Sequence, residues 1–273
     1  MTTVHKGAVS IAQFDTPWLR RYSAAGAAGL RLFCFHFAGG GASIYRNWGP
    51  QLGELAEVIA VQLPGREWRV AEQPRIRLDQ LARELADVMQ PYLQGRYAFF
   101  GHSMGALVSY ELLQEIHRRG WPAPVLYMPS ARKPPHLPDD DPVLHGLSDA
   151  EFVAELGPES QAALQPTMAD AELRGIVLPL LRADYELCET YEYGESRRLS
   201  MPIAAFGGAS DSSVREADLG CWQELTTARF RYYSFHGDHF FVRSQERAVL
   251  NCVRRELSVA ADVVFDSDAG RRK

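Results

Sequence analysis

The 273-residue sequence predicts an α/β fold: a mostly parallel central sheet flanked by helices, with a helical lid insertion. Three observations carry this expectation. Apolar runs of strand length alternate with stretches whose apolar residues recur at helical spacing. Gly39-Gly40-Gly41, Pro64-Gly65 and Gly120 punctuate the junctions between them. One connection, from Ser130 to Pro202, runs about seventy residues, more than twice the ~30 of a simple strand–helix–strand unit.

In chain order, residues 1–28 read as an arm leading into the fold. "LRLFCFHF" (Leu30 to Phe37) is a buried strand that ends in three glycines, and "EVIAVQL" (Glu57 to Leu63) is a second, closed by Pro64-Gly65. Leu78, Leu81, Leu85, Val88 and Met89 share one face of a helix. "YAFFG" is the third strand, and "ALVSYELLQEIHRRG" is a helix stopped by Gly120. "PVLYMPS", "PIAAFGG" and "RFRYYSF" supply strands four to six, and "QERAVLNCVRRELSV" a closing helix. The core is therefore expected over 29–143 and 199–258, interrupted by a helical lid over 144–198, with 259–273 a flexible tail. Within the lid, Ser148 heads a capped helix, Pro179 marks a helix start or kink, and Leu173, Ile176, Val177, Leu180 and Leu181 form an apolar stripe. That stripe is expected to pack onto the core for the most part, with a few members lining a chamber beneath the lid.

Composition narrows the class. The formal net charge of −5 argues against nonspecific nucleic-acid binding. No apolar stretch is long enough to cross a bilayer, and the first residues lack the apolar core of a secretory signal. Cys34, Cys188, Cys221 and Cys252 are far apart, so free thiols in the cytoplasm are expected and a metal site is not. Arg66, Arg69, Arg75 and Arg77 form a basic cluster, read first as a solvated surface and second as a face for an acidic partner.

The chemistry centres on Gly101-His102-Ser103-Met104-Gly105, a G-x-S-x-G pentapeptide between a strand and a helix. Small residues on either side let the backbone turn sharply and lift the serine hydroxyl clear of the sheet. Alone, the pentapeptide is equally a tight turn without chemistry. A serine needs a base, and in α/β-hydrolase folds the partners follow in the order Ser, Asp or Glu, His. His239, after the last strand and a Gly-Asp turn, is favoured as that base over His236. Asp211, at the end of the fifth strand, is favoured as the orienting acid over Asp238 and Asp218. Backbone N–H groups of Met104 and of Ala38, in the loop after the first strand, would form the oxyanion hole. Phe37, Gly39 and Phe240 are expected to bind substrate. Neither G-x-G-x-x-G nor the P-loop pattern is present.

"LFCFHFAGGGASIYRNW", "VQLPGREWR", "GHSMGALVSYEL", "LLRADYELCETYEY", "FGGASDSSV" and "HGDHFFV" together resemble the type II thioesterases of nonribosomal peptide and polyketide synthesis, from about Leu30 to Leu257. The resemblance implies an α/β-hydrolase fold with a mobile lid. It also implies a free-standing enzyme, without metal or bound cofactor, that hydrolyses acyl groups from the phosphopantetheine of carrier proteins to clear stalled or misprimed chains. The carried-over roles fall on Ser103, His239 and Asp211, with Ala38 and Met104 at the oxyanion. Three positions depart from the family pattern. His36-Phe37 stands for Pro-His, Gly237-Asp238 for Gly-Gly, and Ser212 for the proline after the acid. A monomer partnered by acyl or peptidyl carrier domains is expected. A carboxylester hydrolase or an acyltransferase with a small free substrate, or a noncatalytic acyl-carrier-binding protein, would carry the same residues.

Overall fold

The computed structural model describes residues 16–23, 29–138 and 141–269. Seven strands form one sheet in the order β1-β3-β2-β4-β5-β6-β7: β1 (Leu19–Arg21), β2 (Leu30–Phe35), β3 (Glu57–Val61), β4 (Arg96–His102), β5 (Leu126–Ser130), β6 (Ile203–Gly208) and β7 (Phe230–Phe235). β2 to β7 pair in parallel, and β1 lies antiparallel on β3 with Leu19 opposite Val61. The helices are α1 (Trp48–Leu52), α2 (Leu78–Met89), α3 (Met104–Arg118), α4 (Asp149–Glu155), α5 (Pro158–Met168), α6 (Ala171–Glu189), α7 (Glu216–Gly220), α8 (Phe241–Ser244) and α9 (Glu246–Ala269).

Strand periodicity explains the layers. Successive side chains of a strand point to opposite faces. Phe33, Phe35, Ile59, Val61, Tyr97 and Phe99 meet α2 and α3 on one face. Their neighbours Leu32, Cys34, Val58, Ala60, Ala98 and Phe100 meet α1 and α9 on the other. Both faces are covered, which is why these strands read as continuous apolar runs rather than alternating ones.

The six expected strands correspond to β2–β7. Two boundaries differ from the sequence reading. Within the segment taken as an arm, Leu19–Arg21 forms an edge strand, while 1–15 and 24–28 lie outside the described residues. At the other end, α9 continues through Ala269 instead of giving way to a loose tail at 259, and 270–273 lie outside the described residues.

Between β5 and β6 the chain makes α4, α5 and α6. Ser148 caps α4 in a reciprocal box with Glu151. Asp170 caps α6, accepting from the backbone N–H groups of Glu172 and Leu173, and Pro179 sits inside that helix. Leu144, Phe152, Leu156, Leu178 and Leu181 form a small core of their own. The expected stripe divides along the helix: Leu180 and Leu181 are buried, whereas Leu173 and Ile176 stay about half exposed, at 48% and 46%. None of the five lines the chamber described below; α6 reaches it one turn later, through Asp184, Tyr185, Cys188 and Glu189.

Candidate active site

The C-terminal ends of β2, β4, β6 and β7 deliver every candidate residue. Ser103 sits between β4 and α3 with φ +54° and ψ −117°, a left-handed conformation that non-glycine residues seldom adopt. Such a turn requires glycine on both sides. A Cβ on Gly101 would lie 2.3 Å from the Gly105 carbonyl oxygen, and one on Gly105 would lie 2.2 Å from that of Phe35. The turn is tied down where the Ser103 N–H donates to the Ser130 carbonyl at 2.7 Å.

His239 follows a turn in which Gly237 takes φ +115°. Its Nδ1 lies 2.8 Å from Asp211 Oδ2 and its Nε2 lies 2.8 Å from Ser103 Oγ. The tautomer follows from the partners. An ionised carboxylate only accepts, so Nδ1 carries the proton and Nε2 offers its lone pair to the serine hydroxyl. Asp211 has a fully buried side chain, and its other oxygen accepts from the Ser213 N–H at 2.9 Å. The rivals are occupied elsewhere: Asp238 accepts from the Phe240 N–H, and Asp218 pairs with Arg215.

His102 supports this row from behind. It is completely buried, its Nδ1 lies 2.8 Å from Ser130 Oγ, and its Nε2 lies 2.8 Å from the His239 carbonyl oxygen. A carbonyl only accepts, so Nε2 donates and Nδ1 accepts from the Ser130 hydroxyl. Burial, and then the neighbouring His239, pull its pKa down from 6.5 to about 3, which keeps the ring neutral.

Ser103 and His239 open onto a chamber of about 640 Å³ that Ala38, Met104 and Leu107 also line. Among the described residues, neither the Ala38 nor the Met104 N–H meets a hydrogen-bond acceptor. Phe37, Gly39 and Phe240, expected to touch substrate, do not line it. Phe37 and Phe240 pack edge to face with ring centroids 5.1 Å apart, and Phe37 also packs on His102, so both rings brace the loops. Gly39 gives its N–H to Asp184 at 2.7 Å.

The basic cluster also reads differently in three dimensions. Arg66 and Arg69 are buried, at 5% and 3% exposure. Arg66 makes a two-pronged pair with Asp184, and Arg69 pairs with Glu72 and stacks over Trp18. Arg75 pairs with Glu84, and Arg77 faces Asp79 at the surface. Among the described residues no group of three or more His, Cys, Asp or Glu is placed to hold a metal ion, and no helix is long and apolar enough to cross a membrane.

A serine at a strand-to-helix elbow, in line with a histidine and a buried aspartate at later strand ends, defines the serine-hydrolase class of the α/β-hydrolase fold. Residues 30–257 match the thioesterase domain family, and the chain belongs to that family. Linear gramicidin dehydrogenase LgrE of Brevibacillus parabrevis is 38% identical over 242 residues, covering 88% of this chain and 92% of the relative. Thioesterase PikA5 of Streptomyces venezuelae is 33% identical, covering 89% and 86%. The solved structure of the type II thioesterase BorB, from the borrelidin biosynthetic cluster, matches with a TM-score of 0.78 at 34% identity, covering 88% of this chain and 97% of that one.

Proposed function

We propose that this protein is a stand-alone type II thioesterase that hydrolyses acyl groups from the phosphopantetheine arm of carrier proteins. Its task is to clear stalled or misprimed chains in nonribosomal peptide or polyketide synthesis. The observation that carries this reading is the unbroken row Ser103 Oγ, His239 Nε2, His239 Nδ1, Asp211 Oδ2, with 2.8 Å at each contact, opening on the chamber.

His239 takes the Ser103 proton as Oγ attacks the thioester carbonyl carbon. The Ala38 and Met104 N–H groups receive the oxyanion. The carbon–sulfur bond breaks, and the pantetheine thiol leaves with the proton from His239. Water, deprotonated by His239, then attacks the acyl-serine ester, and collapse returns the proton to Ser103 and frees the acid. Asp211 holds the imidazole tautomer and balances its charge during both steps. The reaction uses no metal or bound cofactor: phosphopantetheine comes as part of the partner's substrate. The enzyme works as a monomer in the cytoplasm, on the carrier domains of its synthase, with no nucleic acid or membrane involved.

The name of the gramicidin relative raises hydride transfer as a second reading. A dinucleotide site would call for G-x-G-x-x-G at the first strand-to-helix turn. That turn reads Phe37-Ala38-Gly39-Gly40-Gly41-Ala42 instead, and the thioester reading is the better supported.

The test is release of free acid from an acylated carrier protein, followed by intact-protein mass. Ser103→Ala is expected to abolish release while leaving the melting transition intact. Release within a few fold of wild type removes Ser103 from the mechanism. Rates on an acyl-pantetheine thioester and its oxygen ester, with and without carrier protein, separate this activity from that of an esterase.

A further inference from the structure

We infer that Asp184, on α6, is a positioning residue: with Arg66 it holds the Ala38 loop, so that seating of the insertion helix assembles the oxyanion site. The inference rests on the hydrolytic reading above and adds to it a link between lid and chemistry.

The contacts form one closed unit. Asp184 Oδ2 accepts from both the Gly39 N–H and Arg66 Nη1, each at 2.7 Å, and Oδ1 accepts from Arg66 Nη2 at 2.7 Å. Arg66 in turn donates to the Gly40 carbonyl at 3.3 Å and, through Nε, to the Pro64 carbonyl at 3.2 Å. The first and third peptide groups after Ala38 are thus held from one side by an α6 carboxylate and its arginine. Gly39 needs holding. It takes φ +73°, and a Cβ there would lie 3.1 Å from Leu181, one turn earlier on α6. Ala38, immediately before, lines the chamber with Ser103 and Met104.

Fold stability alone is a weak reason for this pair. Both side chains are nearly sealed from water, at 4% and 1% exposure. A buried ion pair often stabilises a fold no better than apolar residues of similar volume. What apolar residues cannot supply is an acceptor for the Gly39 N–H. That contact fixes the peptide next to the proposed oxyanion donor, where an error of 1 Å costs on the order of 10²-fold in rate.

Two double variants separate positioning from bulk. R66M/D184L removes the charges together and leaves no acceptor for Gly39. R66Q/D184N also removes the ion pair but keeps an amide oxygen in the acceptor's place. With hexanoyl-pantetheine as substrate, R66M/D184L is expected to lose roughly 30- to 100-fold in kcat with KM within about threefold. It should weaken binding of a pantetheine trifluoromethyl ketone, which forms an oxyanion on Ser103, by a similar factor. R66Q/D184N should recover to within about fivefold of wild type in both measures. The inference is overturned by wild-type kcat in folded R66M/D184L, by equal losses in both double variants, or by a loss confined to KM. Should R66M/D184L not fold, R66Q/D184A carries the same comparison against R66Q/D184N. Ser103→Ala, run alongside, distinguishes the failures: hydrolysis surviving in it sinks the catalytic reading, whereas its loss with normal R66M/D184L sinks only the role of Asp184.

Discussion

At the scale of single residues, the strain at Ser103 and the missing side chains at Gly101 and Gly105 belong together. A non-glycine residue at positive φ costs of order 1–3 kcal/mol and persists only where its surroundings over-determine it. Here β4, α3 and β2 approach closely enough that only hydrogen fits at Gly105, whose Cβ position is 2.2 Å from the Phe35 oxygen and 2.7 Å from that of His36. Gly105→Ala must push β2 and the Ala38 loop away from α3. We expect it to destabilise the fold by about 2 kcal/mol or more and to lower kcat by more than the unfolded fraction explains. Urea titration and turnover on the same preparation check this, and unchanged stability sinks it. Ser103, Asp211 and His239 were legible in the sequence because each follows a strand and sits beside glycine or small polar residues that mark a sharp turn. Asp184 and Arg66 were not, because they lie 118 residues apart and neither has a local pattern. A buried arginine also reads in sequence like an exposed one.

At the scale of elements, hydrophobic periodicity found β2–β7 and the sheet-facing helices, and the capping box at Ser148 located α4. Periodicity failed where burial is slight or polar. β1 is three residues long, with a single buried side chain, and its strand character comes from pairing with β3. On α6 the apolar stripe drew the eye to Leu173 and Ile176, while the chamber face is Asp184, Tyr185, Cys188 and Glu189, a mostly polar set. Phe37 and Phe240 are apolar and adjoin Ala38 and His239 in the sequence, yet their rings pack on each other. Cys188 offers a test of the chamber wall. Cys188→Phe adds bulk there, and its effect should grow with acyl length. The ratio of kcat/KM for decanoyl- over acetyl-pantetheine is expected to fall about fivefold or more, since a methylene or two in an apolar pocket is worth roughly 10-fold or more in selectivity. An unchanged ratio would mean that the acyl chain runs elsewhere.

Across the whole molecule, two buried histidines tie stability to pH. His102 is held neutral with a pKa of about 3, and His36 with one of about 4. For both the first cause is burial. For His36 the second is the Arg66 guanidinium, and its Nε2 is buried without a hydrogen-bond partner among the described residues. In the unfolded chain each titrates near 6.5. Below that pH the unfolded chain binds protons that the folded chain refuses, so stability is complete above about pH 6.5 and falls as the medium is acidified. Carboxylates paired with arginine, such as Glu115 and Asp218, have pKa values pulled down, so their contribution is lost at lower pH still. Between about pH 4.5 and 6 the buried histidines therefore set much of the slope, at about 1.4 kcal/mol per pH unit for each. His36→Asn keeps a side-chain donor for the Phe37 carbonyl, which His36 Nδ1 serves at 2.9 Å, and removes the titration. Urea midpoints measured from pH 4.5 to 7 should fall less steeply in this variant than in wild type, by about one proton's worth of slope. Parallel curves would show that His36 takes up its proton in the folded protein as readily as in the unfolded chain.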